Sequence, residues 1–538
     1  MGSVVSVSSI PKLEKNRAGR WSLIVGDRPF AMLAGECHNS SSSSARVFAG
    51  ALDSAIELGM NTVLAPVTWE LVEPQEGAFD FSGIDIMLEL ARERGLRLVL
   101  LWFGAWKNAQ CYYAPAWVKR DTERFARAQM APGISKVRMA DFHNFPYAAL
   151  SLFCDATREA DARAFATLMG HLADVDSENH TVIAIQVENE VGEMAAAREH
   201  GSQADAAFAK PVPSSFIEAL RTSRADIASD IAANLAQGAN AGTWSEVFGE
   251  SAEEMFTTFY MARYVESVAA AGKSVFPLPM FANCWLDKGH KPGRFPTGGP
   301  NVRVMGVWKH VAPSIDFVCP DIYVPTFCSV CDGYARQDNP LAIPETAVHA
   351  YAAAREMWTI GHHGAICFAP FGYEDMGAPF DASSGILFGA DASDAALRIP
   401  QDRGEYAAVT MGLAQLLEIR DGAEHYVVMD AAISECPERS VLDMGAFSVK
   451  VSFDSDSLPG ACAAVCSDDG VIYLLALRSM VEFISNDPLR PHVDILALED
   501  GEMRDGCWCR DRRLNGDEVA IMHYEKPTLL RAELFAYC

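Results

Sequence analysis

The chain of 538 residues has no long apolar run and is poor in basic residues. No stretch approaches the ~20 apolar residues that a membrane-spanning helix needs. Residues 1–20 show neither the apolar core nor the small-residue cleavage site of a secretory signal. Lys and Arg number 44 against 71 Asp and Glu, which gives a net charge of −27. This composition argues against nucleic acid or a membrane as partner and favours a cytoplasmic protein that acts on a neutral ligand.

The fourteen cysteines follow no disulfide or metal-site spacing. In a large chain without a signal we expect them to be reduced and to pack as small apolar side chains. Cys328-Ser-Val-Cys331 has the spacing of half a zinc knuckle, but no second Cys or His pair accompanies it. There is also no phosphate-binding Gly-rich loop and no His-Glu-x-x-His. The sequence therefore predicts neither a metal site nor a cofactor.

Strand-like and helix-like segments alternate eight times over roughly the first 400 residues. This alternation predicts an α/β fold, a (β/α)8 TIM barrel preceded by a hairpin that turns at Gly26-Asp27. A five-serine run, residues 40–44, is expected to form a loop that caps the helix after it. The expected barrel strands are residues 30–33, 61–67, 97–102, 181–187, 278–282, 315–319, 341–346 and 364–369.

From about residue 430 the pattern changes to short alternating strands separated by Gly, Pro, Asp and Asn. This pattern predicts a small antiparallel β-sandwich. We therefore expect two domains, a barrel with long βα loops at residues 1–429 and a sandwich at residues 430–538. The expected sandwich strands are residues 440–453, 461–465, 471–477, 493–497 and 518–523.

Two acidic residues follow the fourth expected strand, in the stretch Ile-Ala-Ile-Gln-Val-Glu-Asn-Glu-Val-Gly at residues 183–192. Burying unpartnered carboxylates costs several kcal/mol, so acids here belong at the open end of the strand. In a (β/α)8 barrel that end is the face that carries the chemistry. The alternative is a strand that stops in a solvated acidic turn. Glu345, which ends the seventh strand, has a similar alternative as an exposed acid near the start of a helix.

Further polar and aromatic residues follow the other strands at the same predicted face. Each alone is more often structural than functional, but together they could bind the hydroxyl groups and apolar faces of a sugar. Trp69 is either a core aromatic or a stacking platform, and Tyr323 either a core residue or a partner of Glu345. The candidates are Glu36, His38, Asn39, Trp69, Trp102, Lys107, Asn108, Trp117, Asn189, Asn283, Trp285 and Tyr323.

Three motifs carry a resemblance to a known family: Asn189-Glu190, Pro115-Ala116-Trp117, and a second-strand pattern. That pattern has Trp69, then Glu73-Pro74, Gly77 and Phe-Asp-Phe at residues 79–81. Residues 20–425 resemble glycoside hydrolase family 35, the β-galactosidases, and are also similar to family 42. The resemblance implies a retaining exo-β-glycosidase in which Glu190 is the acid/base, Glu345 is the nucleophile and Asn189 binds the 2-hydroxyl.

The resemblance leaves three functions open. The first is a β-galactosidase acting on oligosaccharides, and the second a β-glucosidase or transglycosidase on intracellular β-oligoglucosides. The third is a barrel that binds carbohydrate without cleaving it. The third-strand loop reads Trp-Phe-Gly-Ala-Trp-Lys-Asn where the family has Ala-Glu-Trp, a segment that in β-galactosidases helps to select the axial 4-hydroxyl. A homodimer is among the expected assemblies.

Overall fold

The computed structural model describes residues 9–16, 19–129, 136–137, 145–146, 148–222, 226–380, 395–437, 440–454, 458–504 and 506–538. Its central element is a closed barrel of eight parallel strands. Each predicted strand overlaps an observed one, so the predicted TIM barrel is confirmed. The strands, named below as the first to the eighth, are Met32–Glu36, Thr62–Thr68, Arg97–Lys107, Val182–Asn189, Met280–Trp285, Phe317–Ile322, Ala342–Thr346 and Cys367–Pro370.

The barrel strands are buried on both faces, which explains why they read as nearly continuous apolar runs. Every residue of the second, fourth and seventh strands is buried. Pro344 lies in the middle of the seventh strand. Because proline has no N–H to donate, it belongs at an irregularity, and the pairing with the eighth strand shifts between Ile343 and Thr346.

The third strand is longer than predicted. We expected it to end at Trp102 and to be followed by a water-facing loop, but it continues to Lys107, and each residue after Arg97 is buried. Lys107 pairs with Asn189 at the end of the fourth strand. Trp102 and Trp106 are therefore part of a buried strand, whereas Trp117 lies in the helix Ala116–Arg120.

Helices connect the barrel strands, and the longest are amphipathic or buried along their length. The serine run forms a short 3-10 helix, and the hydroxyl of Ser44 accepts a bond of 3.5 Å from the N–H of Val47, as the predicted cap requires. The α-helices are Ala45–Glu57, Trp69–Val72, Ser82–Glu93, Ala116–Arg120, Asp155–Asp176, Ser202–Phe208, Ser214–Thr222, Ser229–Gln237, Trp244–Phe248, Ala252–Lys273, Met305–Val311, Phe327–Tyr334, Ala352–Trp358, Arg403–Gly422 and Asp517–Ile521.

The C-terminal region contains two antiparallel sheets, of six and four strands, that share one buried apolar cluster. This arrangement agrees with the predicted β-sandwich. The strands are Val428–Ile433, Val441–Asp443, Phe447–Ser452, Ala461–Cys466, Ile472–Leu477, Ser479–Ser485, His492–Arg504, Cys507–Arg513, His523–Tyr524 and Thr528–Tyr537.

One predicted sandwich strand is wrong. Residues 518–523 were expected to be extended, but the helix Asp517–Ile521 occupies most of them. Gly516 turns the chain with a φ of 58°, and two acids stand in the first turn of the helix. Negative side chains there complement the positive end of the helix dipole, and that favours the helix over a strand.

The chain divides into two compact units. The first comprises Met1–Lys12, Asn39–Ala49 and Leu64–Ile322, and the second Leu13–His38, Gly50–Val63 and Tyr323–Cys538. This division passes through the barrel strands, so the boundary between residues 429 and 430 stays a prediction. No helix in the described ranges is long and apolar enough to cross a membrane.

Candidate active site

Glu190 is held in the first unit by neighbours from two other strands. It follows the fourth strand directly and is buried, with 4% of its surface exposed. The side-chain amide of Asn108 donates to Glu190 Oε2 at 2.6 Å. The backbone N–H of Glu190 donates to Asn283 Oδ1, on the fifth strand, at 3.0 Å. The carboxyl group thus has a defined position, unlike that of an acid in a solvated turn.

Asp321, in the sixth strand, is a second acid beside Glu190. Asn283 Nδ2 donates to Asp321 Oδ2 at 2.8 Å, and carboxylate oxygens of Asp321 and Glu190 lie within 4.8 Å of each other. Two carboxylates at this distance repel each other, which favours a proton on one of them. Asp321 was missing from the predicted set, although its place at the end of a barrel strand is the signal that identified the other acids.

Asn189 lies between Glu188 and Glu190, and it has no exposed surface. Neither its side-chain oxygen nor its side-chain nitrogen is hydrogen-bonded to a described residue. Buried polar atoms usually have partners, so a donor and an acceptor without one are a natural place for a ligand hydroxyl. The backbone of Asn189 is fixed, because its carbonyl accepts from the N–H of Asn108 at 3.2 Å.

The chain leaves the third and fourth strands in the left-handed backbone region. Asn108 and Ala109 have φ values of 52° and 58°, and Glu188 and Glu190 have values of 63° and 43°. Non-glycine residues adopt this conformation at a cost of about 1–3 kcal/mol each. Such residues persist only where other contacts hold them, and here the N–H of Ala109 donates to the carbonyl of Glu190 at 3.1 Å.

The predicted tryptophans differ in how much of each indole is accessible. Trp69 and Trp102 have no exposed surface, and the indole N–H of Trp102 donates to Asp161. The core alternative therefore applies to Trp69, and the expectation that Trp102 binds substrate is corrected. Trp69 Nε1 donates to Glu73 Oε2 at 2.8 Å, and Trp117 packs edge-on against Trp69. Trp117 and Trp285 are partly exposed and keep a surface that a sugar ring could contact.

Lys107 and Asn39 complete the predicted residues of the first unit. Lys107 is buried, with its ammonium group 4.8 Å from the centre of the Phe103 ring. Asn39 lines a cavity of about 440 Å³ together with the serine run and Thr68. Asn108 and Asn283, which form hydrogen bonds with Glu190, do not line that cavity.

Glu345, the expected nucleophile, lies in the second unit. It lies in the seventh strand and is buried, with 6% of its surface exposed. The hydroxyl of Tyr323 donates to Glu345 Oε1 at 2.5 Å, the contact expected under one of the two interpretations of Tyr323. Glu345 Oε2 has no hydrogen bond to any described residue. One oxygen is therefore oriented while the other is available to a ligand.

Glu36 and His38 follow the first strand in the same unit. Glu36 is fully buried, and its carbonyl accepts from the N–H of Gly372 at 2.8 Å. His38 Nε2 lies 2.8 Å from Asp375 Oδ2, and both side chains are substantially exposed. Gly372 has a φ of 67°, and a Cβ there would lie 2.6 Å from the His38 ring. A glycine is thus needed where the eighth-strand loop passes the imidazole.

Two groups of side chains in the described ranges contain residue types that bind metals. Cys328 and Cys331 lie in the helix Phe327–Tyr334, and burial raises the pKa of the Cys331 thiol well above its usual value. A raised pKa disfavours the thiolate that binds zinc. Asp454, His523 and Glu525 have potential ligand atoms within 4.8 Å of one another, but the His523 ring already lies 3.3 Å from Asp454 and 3.1 Å from Glu525.

Comparison with protein families supports the resemblance over part of the chain. Residues 22–139 match the model of Glycosyl hydrolases family 35. Residues 419–524 match a domain of unknown function, DUF5597. A beta-galactosidase of Xanthomonas manihotis is 32% identical over 183 residues, which are 33% of this chain and 26% of that protein. The chain therefore spans about a quarter of the curated relative that it matches.

Solved structures give weaker matches. The beta-galactosidase of Marinomonas ef1 is 14% identical and covers 72% of this chain and 60% of its own, with a TM-score of 0.46. A GH42 beta-galactosidase of G. stearothermophilus is 11% identical and covers 94% of this chain and 100% of its own, with a TM-score of 0.48. An exo-beta-1,4-mannosidase from Opitutaceae bacterium strain TAV5 is 16% identical, covers 75% of this chain and 62% of its own, and has a TM-score of 0.43.

Proposed function

We propose that the protein is a retaining exo-β-glycosidase, with Glu190 as acid/base and Glu345 as nucleophile. The observation that carries this proposal is that the two acids stand at the ends of the fourth and seventh strands of one closed parallel barrel. The carboxyl ends of all strands in such a barrel share one face. Retention requires two carboxyl groups about 5–5.5 Å apart, which acids at that shared face can provide.

The contacts of each acid fit the role assigned to it. Glu190 accepts an amide hydrogen bond on Oε2 and lies near Asp321, an acidic neighbour that favours the protonated form of a general acid. Glu345 is oriented through one oxygen by Tyr323 and keeps the other for attack on the anomeric carbon. Asn189, with its unpartnered buried amide, would bond the 2-hydroxyl as positive charge develops on the sugar.

The substrate that we favour is a β-galactoside in an oligosaccharide. The match of residues 22–139 to family 35 and the similarity to a beta-galactosidase support this choice. A β-glucoside or a transfer reaction is the second candidate, because the third strand carries Trp106 and Lys107 where the family has Ala-Glu-Trp. Homodimer formation and a cytoplasmic location stay predictions.

Hydrolysis of a panel of nitrophenyl β-glycosides tests the reaction and the preferred sugar. We expect activity on the galactoside, and the anomer of the first product seen by NMR should be β. Glu190→Gln and Glu345→Gln should each lower kcat by at least about 100-fold. Azide should restore turnover to Glu345→Gly, because a small anion can replace the missing nucleophile.

Glu123→Gln is the matched control, since Glu123 is an exposed acid outside the predicted set of site residues. Its activity should equal that of the wild type. Full activity in Glu190→Gln or Glu345→Gln would refute the assigned roles. A wild-type protein that binds sugars but cleaves no member of the panel would instead favour the non-catalytic barrel.

A further inference from the structure

A buried pair of carboxyl groups, those of Asp161 and Glu188, has no part in the reaction described above. Asp161 lies in the helix Asp155–Asp176 and Glu188 in the fourth strand, and neither has exposed surface. Both carboxyl groups approach the same backbone N–H, that of Ala105, and so lie side by side. Two buried carboxylates this close repel each other, and the repulsion favours a proton on one of them.

The surrounding donors assign that proton to Glu188. Asp161 accepts from the indole N–H of Trp102 and from the hydroxyl of Tyr264, each at 2.9 Å. The N–H of Ala105 lies 3.3 Å from an oxygen of each carboxyl group. With two side-chain donors directed at it, Asp161 is the better carboxylate. Burial raises the pKa of Glu188 well above its usual value, and the neighbouring Asp161 raises it further.

Gly104, in the third strand, has no side chain, and the carboxyl pair occupies the space where a side chain would lie. A Cβ at that position would lie 2.4 Å from Trp102 Nε1, 2.6 Å from Asp161 Oδ1 and 2.7 Å from Glu188 Oε1. A side chain here would displace the two carboxyl groups or the indole. The pair and the glycine therefore form one tightly packed unit.

The pair connects the two segments that position Glu190. Glu188 Oε2 accepts from the backbone N–H of Trp106 at 2.8 Å, and two residues beyond Trp106 the side chain of Asn108 donates to Glu190. Glu188 itself stands two residues before Glu190, and both have positive φ. We propose that the singly protonated Asp161–Glu188 pair is a positioning element that fixes Asn108 and Glu190 relative to each other. This inference rests on the proposed function.

Two substitutions at the same position test the proposal. Glu188→Gln replaces the proton with an amide N–H that can still donate to Asp161, so it should keep most of the wild-type kcat. Glu188→Ala removes the carboxyl group with its contacts to Asp161, Ala105 and Trp106, and kcat should fall about 100-fold while KM changes little, as expected when a catalytic group is displaced. The alkaline limb of the kcat/KM profile, which reports the acid, should move in Glu188→Ala and not in Glu188→Gln. The ionisable side chains Asp161, Tyr264 and Asp321 are the same in the two variants.

Infrared spectroscopy supplies a readout that does not depend on activity. At neutral pH the wild type minus Glu188→Gln difference spectrum should contain the carbonyl stretch of a protonated carboxylic acid. Its absence would overturn the proposal, and so would a Glu188→Gln variant that folds but is as inactive as Glu188→Ala. If Glu188→Ala does not fold, the kinetics of Glu188→Gln and the infrared band still test the proposal. A wild-type protein that shows the band but cleaves no glycoside would refute the proposed function, whereas the protonation of the Asp161–Glu188 pair would still be supported.

Discussion

Glu356 offers a test of how burial sets the pH dependence of stability. It lies in the helix Ala352–Trp358 and is fully buried, and Thr410 donates a hydroxyl bond of 2.8 Å to its Oε2. Burial raises the pKa of Glu356 from 4.5 to about 8. The folded protein therefore holds this proton at neutral pH, whereas the unfolded chain releases it above pH 4.5.

The sign follows from the raised folded-state pKa of Glu356. Its contribution to stability is complete below pH 4.5 and is lost as the pH rises toward 8. One pKa unit corresponds to about 1.4 kcal/mol. Between pH 5.5 and pH 8 the unfolded state gains about 3 kcal/mol relative to the folded state from this group alone. Glu356→Gln has the same shape and no proton to lose, so it should not show this part of the loss.

The assay is urea denaturation of the wild type and Glu356→Gln at pH 5.5 and pH 8. The difference in the free energy of unfolding between the two proteins should grow by about 3 kcal/mol in favour of the variant from the lower to the higher pH. Glu123→Gln, an exposed change of the same charge, should parallel the wild type. If the Glu356→Gln and wild-type values also stay parallel, Glu356 does not hold a proton in the folded state and the reasoning fails.

Three further substitutions have defined outcomes. Arg355 is 1% exposed and forms two hydrogen bonds, of 3.0 and 2.8 Å, with Glu435; Glu435→Ala should cost about 3–5 kcal/mol in urea denaturation because it leaves a buried charge unpaired. Gly104→Ala should lower the free energy of unfolding by about 1–3 kcal/mol through steric overlap and should also lower kcat. A variant with the stability and kcat of the wild type would show that the carboxyl pair can shift freely. Gly50 is helical and has no atom within 4 Å of an added Cβ; Gly50→Ala should gain about 0.4–1 kcal/mol without a change in kcat.

The barrel could be predicted from the sequence because its strands are buried on both faces and end in turn residues. The fourth and seventh strands are short apolar runs that stop at acids, and each appears where it was expected. The third strand was predicted too short because Gly104 and Lys107, in the missed residues 103–107, are not typical of a strand interior. Its extension depends on the pairing of Lys107 with Asn189 and on the bond from the N–H of Trp106 to the buried carboxyl group of Glu188, which are tertiary contacts that local sequence does not encode.

The strands of the C-terminal region were also predicted incompletely from the sequence. Residues 518–523 alternate well enough for a strand, but the turn at Gly516 and the acids after it favour a helix. The strand Thr528–Tyr537 was missed although it pairs with two others at the middle of the six-stranded sheet. Its apolar and charged residues do not alternate strictly, because one end is buried and the other partly exposed.

The two glutamates at the end of the fourth strand illustrate what the sequence cannot separate. Glu188 and Glu190 are two residues apart, so a regular strand would direct both to the same face. The left-handed backbone at each residue breaks that alternation. Glu188 is bonded by backbone N–H groups and lies beside the carboxyl group of Asp161 in the core, while Glu190 is bonded by the side chain of Asn108. Their chemistry therefore differs because of donors that come from the third strand and a distant helix, so a substitution at either acid tests a different interaction.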